Sequence, residues 1–319
     1  MFLHVILLLV GMLLLVKGAD WFVDGASDIA RACKVPSLVI GLTLVSMGTS
    51  APELSVSIQS ALSGMNDMSI GNVVGSNAFN TLLILGLSAL LLPVLIGKDM
   101  KKYDIPIMLG FYLLLLLFSF VLTPYALDRI EGIVMICAFL AYTLFLLFRA
   151  RKAKKELEKI ADLPEEPHSK KPLWLSILLA VIGLAGIIFG GDLVVDHAAE
   201  IAKTLGMSEA LVGLTILAVG TSLPELVTSV VAALKHENDI AVGNVVGSNS
   251  FNVVLILGVT AAISPLAINP AVLVDLLVML ASGVLVLVFS LISPKISRWQ
   301  GALMVACYVA YLVYIVIRH

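Results

Sequence analysis

Two glutamates, Glu53 and Glu225, stand inside segments otherwise suited to hydrocarbon. A carboxylate at such depth is costly and marks a functional site with a partner. Around each glutamate the residue types repeat. Ser46, Thr49, Ser50 and Glu53 fall at i, i+3, i+4 and i+7, and Ala218, Thr221, Ser222 and Glu225 take the same spacing. On a helix that spacing places each set along one face. Pro52 and Pro224 precede the glutamates. A helical proline removes one hydrogen bond and clashes with the carbonyl four residues back, here that of Gly48 or Gly220. Each motif therefore joins a carboxylate, hydroxyls and released backbone oxygens at one depth. In a membrane such broken backbone is tolerated only inside protein or beside a water-filled cavity.

A second pair of segments adds amides. Asn72, Ser76 and Asn80 are spaced four apart, as are Asn244, Ser248 and Asn252. Each trio forms a polar stripe along a helix. Gly71 and Gly75, like Gly243 and Gly247, are small residues that permit close helix approach. Every candidate ligand is an oxygen, and neither motif contains histidine or cysteine. Such a set suits hard cations such as Ca²⁺ and Na⁺ and does not suit zinc or copper. The two glutamates supply the charge that one Ca²⁺ neutralises. Na⁺ ions competing for the same oxygens would give exchange a physical basis. No Ser/His arrangement, aspartate pair or His-rich motif points to catalysis, so no catalytic residue and no cofactor is expected.

The elements that must position these groups are apolar helices. The chain has 319 residues, 60% hydrophobic and 13% charged, with a mean hydropathy of +1.07. A soluble domain carries about 25% charged residues. Ten segments reach toward the ~20 residues of a transmembrane helix: roughly 2–25, 37–62, 69–94, 105–123, 130–149, 173–201, 209–234, 240–264, 271–292 and 299–317. The apolar run Met1–Val16 lacks a basic region before it and has a counterpart near Leu175–Phe189, so it reads as the first span and not as a signal peptide. The one long polar connection, Ala150–Lys171, reads as a solvated linker. The net charge of −2 gives no basic excess for nucleic acid, and no protein partner is implied. Cys33, Cys137 and Cys307 are isolated, which argues against disulfides and thiol metal sites.

The chain is a duplication. An offset of 172 residues carries Gly11 to Gly183, Asp20 to Asp192, Glu53 to Glu225, Gly71 to Gly243, Asn80 to Asn252 and Pro93 to Pro265 without a gap. The expected organisation is a first five-helix repeat at 1–149, a cytoplasmic linker at 150–171 and a second repeat at 172–319. Five is odd, so the repeats must take opposite orientations. The predicted fold is thus an all-α integral membrane protein of ten transmembrane helices in two inverted repeats. Secondary transporters with that architecture bind substrate near the bilayer midplane. Of the 20 lysines and arginines, sixteen fall in loops on the linker's side and three on the other, with Lys17 inside span one. The positive-inside rule puts the linker in the cytoplasm and both termini outside.

The doubled pair, GTSAPE with GNVVGSNAFN and GTSLPE with GNVVGSNSFN, resembles the repeats of the sodium/calcium exchanger branch of the cation/calcium antiporter superfamily. The resemblance covers nearly the whole chain and implies a minimal prokaryotic-type member of the cell membrane. By motif position it implies that Glu53 and Glu225, aided by Thr49 and Thr221, coordinate Ca²⁺. It implies flanking Na⁺ sites from Ser50, Ser76, Ser222 and Ser248 with the backbone carbonyls of Ser46 and Ala218, and a centre completed by Asn80 and Asn252. It also implies alternating access by sliding of the first and sixth spans. Position 252 is an aspartate in some relatives, including potassium-dependent ones; asparagine in both copies here argues against a K⁺ requirement. Proton/calcium exchangers carry a glutamate after the Gly-Asn of the third and eighth spans, where this chain has Gly-Ser, which favours Na⁺ over H⁺.

Other readings are an H⁺/Ca²⁺ antiporter, a K⁺-dependent exchanger and a cation channel filtered by the same oxygens. Inverted repeats sharing one midplane site favour a carrier over a channel. Asp20, Asp24, Asp192 and Asp196 recur near the ends of spans one and six and read as structural or vestibular. His4, His168, His197, His236 and His319 lie near ends or loops and read as incidental. Trp21, Trp174 and Trp299 read as interfacial anchors.

Overall fold

A computed structural model describes residues 2–159, 171–206 and 218–318; of residues 156–159 and Ala218 only the backbone is described. The middle of the expected linker and the start of the seventh expected segment, with Gly213, lie outside the described residues. What is described is nearly all helix. In chain order the elements are α1 (Phe2–Cys33), α2 (Ser37–Thr49), α3 (Ala51–Leu62), α4 (Asn66–Leu91), β1 (Val94–Leu95), α5 (Met100–Leu122), β2 (Ala126–Leu127) and α6 (Arg129–Lys159). Then follow α7 (Leu173–Thr204), α8 (Ala218–Gly220), α9 (Leu223–Leu234), α10 (Asn238–Ile263), β3 (Leu266–Ala267), α11 (Val272–Ile292), β4 (Lys295–Ile296) and α12 (Arg298–Arg318). Among the described residues eight helices are long and apolar enough to cross a bilayer, or nine if α2 and α3 make one broken span. The chain is a multi-pass membrane protein.

The break between α2 and α3 follows from Pro52. The chain bends by 47° there, and Ser50 adopts φ −85°, ψ 10°. Pro52 sits in the first turn of α3, where its missing N–H costs nothing. Ser222 repeats the conformation at φ −90°, ψ 5° ahead of α9 and Pro224. The expected bend is therefore a one- or two-residue gap between two helices. Wide π-helical turns interrupt α2 at Gly41–Val45, α4 at Phe79–Ile84 and α10 at Asn252–Leu257. Such turns concentrate at functional positions, and two of them hold Asn80 and Asn252.

The helices group into two compact units, each drawing on both halves of the sequence. The first comprises Met1–Thr49 and Ala141–Asn244. Its spine is the pair α1 and α7, joined through small residues. A Cβ added to Gly11 would lie 2.9 Å from Gly190 O, one added to Gly18 would lie 2.7 Å from Gly183 O, and one added to Gly25 would lie 2.7 Å from Ser176 O. Only glycine allows such backbone approach. In the same unit α2 meets α10, where a Cβ on Gly243 would come within 3.0 Å of Gly41 Cα. Lys235, just past α9, bridges Asp20 Oδ1 and Asp24 Oδ1 of α1, each at 2.6 Å.

The second unit comprises Ser50–Leu140 and Val245–His319. Here α3 and α4 form a hairpin through Gly64, whose φ of +74° suits glycine. Gly86 of α4 meets the backbone of Gly301 in α12, and Gly132 of α6 meets that of Gly258 in α10. Two antiparallel clips tie loops together: Val94 opposite Ile296, and Ala126 opposite Ala267. Asp275 of α11 holds Arg318 at 2.9 Å and accepts a hydrogen bond from Tyr311 at 3.0 Å.

Candidate cation-binding residues

The first unit builds a cluster around Asn244 of α10. Its Nδ2 donates to Ser229 Oγ at 2.9 Å and to the Glu225 carbonyl at 3.4 Å, both on α9. Its Oδ1 accepts from Thr49 Oγ1 of α2 at 3.1 Å. Thr49 also lies 3.2 Å from Val45 O and 3.4 Å from Ser46 O, and Ser46 Oγ donates to Thr43 O at 3.2 Å. One amide thus brings Thr49 of the first sequence motif to the backbone of Glu225 in the second. Ser46, Thr49, Glu225 and Asn244 are fully buried, Ser222 nearly so, and Thr221 is half-buried. Ala218 opens the short helix α8.

The second unit repeats the joint. Asn72 Nδ2 donates to Ser57 Oγ at 3.1 Å and to the Glu53 carbonyl at 3.3 Å. Glu53 and Ser50 are fully buried, as is Ser248, while Ser76 is nearly so. Beside this joint an amide network links α4 to α10. Asn77 Nδ2 donates to the Asn249 carbonyl at 3.1 Å. That carbonyl can only accept, which fixes the Asn77 amide. Asn77 Oδ1 then accepts from Asn252 Nδ2 at 3.1 Å. Asn80 Nδ2 donates to Asn249 Oδ1 at 3.2 Å, and Asn249 Nδ2 donates to Thr81 Oγ1 at 2.7 Å. The consequence is the same at the two motif ends. Asn80 and Asn252 are fully buried, their nitrogens are committed, and their Oδ1 atoms have no hydrogen-bond partner among the described residues.

Chemically, each unit presents buried oxygens with one carboxylate among them. A dehydrated Ca²⁺ or Na⁺ is held by carboxylate, amide carbonyl, hydroxyl and backbone oxygens of this kind. No group of three or more His, Cys, Asp and Glu that could hold a metal occurs among the described residues.

Sequence reasoning singled out Asn72 and Asn244 as stripe residues but not as ligands; they anchor the glutamate backbone in both copies. It missed Ser57 and Ser229, and also Asn77 and Asn249. All four recur at the 172-residue offset, and that repetition was the signal available. The small-residue reading holds for Gly243, which meets Gly41, whereas a Cβ on Gly71 or Gly75 would meet nothing within 4 Å.

The family model described as sodium/calcium exchanger protein matches residues 3–148 and 175–317. The inner membrane protein YrbG of Escherichia coli is 38% identical over 324 residues, covering 98% of this chain and 96% of that protein. The sodium/calcium exchanger MaX1 of Methanosarcina acetivorans is 35% identical over 343 residues, covering 97% of each. A solved structure of the sodium-calcium exchanger NCX_Mj, soaked with Na⁺ and no Ca²⁺, superposes with a TM-score of 0.84 at 34% identity, covering 98% of both chains.

Proposed function

The chain belongs to the sodium/calcium exchanger family, and from that premise we propose that it is a secondary-active antiporter exchanging Na⁺ for Ca²⁺ across the cell membrane by alternating access. In this reading Glu53, Glu225, Thr49 and Thr221 coordinate Ca²⁺. Ser50, Ser76, Ser222 and Ser248, with the carbonyls of Ser46 and Ala218, hold Na⁺. Asn80 and Asn252 serve through Oδ1. The ten spans form two inverted five-helix repeats, 1–149 and 172–319, around the cytoplasmic 150–171 linker, with both termini outside. The chain is a carrier and not an enzyme.

The observation that carries the reading is the pair of uncommitted amide oxygens, Asn80 Oδ1 and Asn252 Oδ1, at equivalent motif positions. A buried acceptor left without a donor costs about 1–3 kcal/mol. A cation at that oxygen offsets the cost, and two fully buried carboxylates supply the charge that draws one in. Asparagine at position 252, with no carboxylate added, keeps the ligand charge low and supports Na⁺ exchange without K⁺.

The test is Ca²⁺ uptake into vesicles loaded with Na⁺, run with and without K⁺. Uptake should require the outward Na⁺ gradient and be indifferent to K⁺. Uptake driven equally well by a pH gradient alone would replace this reading with H⁺/Ca²⁺ exchange.

A further inference from the structure

The seam between α1 and α7 closes differently at its two ends. Gly11, Gly18 and Gly25 follow one another seven residues apart on α1 and meet the backbone at Gly190, Gly183 and Ser176 of α7. Continuing that register one heptad past Gly11 reaches His4, and one heptad past Gly190 reaches His197. The 172-residue offset carries His4 onto Ser176 and Gly25 onto His197. The His4–His197 crossing is therefore the duplicate of the Gly25–Ser176 crossing. Where one end of the seam has two small residues, the other has two imidazoles.

Those imidazoles are aimed at each other. The two Nδ1 atoms lie 3.1 Å apart, and the rings meet edge to face with centroids 5.1 Å apart. Both residues are half-buried, so ions can reach them from the surface. Two imidazole nitrogens on one tetrahedral Zn²⁺, each at about 2.0–2.1 Å, stand roughly 3.3 Å apart. The observed separation already lies near that value.

We propose that His4 and His197 form a binding site for a divalent transition-metal ion of the Zn²⁺, Ni²⁺ or Cu²⁺ class, joining one end of α1 to α7. Without metal, one ring donates its Nδ1–H to the other. Metal binding uses both Nδ1 lone pairs, so the donor ring shifts its proton to Nε2 and no net proton is released. Among the described residues no larger His, Cys, Asp and Glu set forms there, so water fills the remaining coordination positions. Imidazole nitrogen selects these borderline ions over Ca²⁺ and Na⁺, which keeps this site chemically separate from the oxygen sets around Glu53 and Glu225.

The test uses full-length protein purified without a polyhistidine tag and titrated calorimetrically with Ni²⁺ or Zn²⁺. Cu²⁺ electron paramagnetic resonance then counts the nitrogen ligands. One ion per chain, two nitrogens and a metal-dependent rise in melting temperature are expected. H4Q and H197Q should each weaken binding at least about tenfold and abolish the melting shift, while melting like the parent without metal. If H4Q does not fold, H4S serves, since serine is what the equivalent position 176 carries. Parent-like affinity in either variant, or no binding by the parent, would overturn the proposal.

Discussion

The two copies of the glutamate–asparagine joint have the same covalent design and different surroundings. Asn72 grips the Glu53 carbonyl and Ser57 at 3.3 and 3.1 Å; Asn244 grips the Glu225 carbonyl and Ser229 at 3.4 and 2.9 Å. The offset of 172 residues has preserved even the choice of partners. Burial differs. Asn244 is fully buried, whereas Asn72 is half-exposed. A Cβ on Gly243 would strike Gly41, and one on Gly71 would meet open space. The duplicated sequence therefore encodes the joint, and packing decides which copy is covered. Under the alternating access proposed above, identical local wiring with access set by what lies over it is the expected division of labour.

If the joints are equivalent in function, the largest effects must be symmetric. E53Q and E225Q should each lower Na⁺-driven Ca²⁺ flux by on the order of 100-fold, the ~3 kcal/mol expected from removing a charged ligand in a buried set. Flux assays in vesicles check this, and a parent-like rate in one variant alone would break the equivalence. N80L and N252L follow, each removing an uncommitted Oδ1 along with a buried donor. Flux should fall by roughly tenfold in both, with N252D instead changing the dependence on Na⁺ and K⁺.

The glycines sharpen the difference. In G243A the new methyl group meets Gly41 Cα at 3.0 Å and should destabilise the protein by about 1–3 kcal/mol. In G71A the methyl group has room, and replacing glycine within a helix stabilises by about 0.5–1 kcal/mol. Thermal unfolding should separate the two. If the copies exchange surroundings during transport, G71A should nevertheless lose flux, because the conformation in which Gly71 is covered becomes inaccessible. Parent-like flux in G71A would show that the first copy never takes the packing seen at the second.

Much of this was legible in the sequence, because apolar length and the 3.6-residue period are local. Segments such as 173–201 and 271–292 lie within a few residues of α7 and α11. Pro52 and Pro224 announced the helix breaks, since a missing N–H cannot be supplied by context. Asn77 and Asn249 were not legible. They lie off the stripe through Asn72, Ser76 and Asn80, and they matter only because two π-helical turns and two distant helices bring four amides together. Ser57 and Ser229 were missed because a helical serine usually bonds its own backbone. The unequal burial of Asn72 and Asn244 could not be read at all, since both stand in the same stretch, GNVVGSN.

The smallest effect concerns where the copies diverge in sequence. Lys235 follows α9 and bridges Asp20 and Asp24; the position 172 residues earlier is Ser63, and Asp192 and Asp196 form no ion pair among the described residues. Burial pulls the Lys235 ammonium pKa down, but hydrogen bonds to Asp20 and Asp24 more than compensate, leaving it above the ordinary 10.5. With a raised folded-state value, the bridge contributes fully at neutral pH and is lost only as pH climbs past that value. The bridge is half-exposed to solvent, so K235M should lower stability by no more than about 1 kcal/mol, with the loss shrinking at high salt. Melting curves at low and high ionic strength check this. A larger, salt-insensitive loss would mean that Lys235 holds α1 by packing its stem, and the divergence between the copies would then be steric instead of electrostatic.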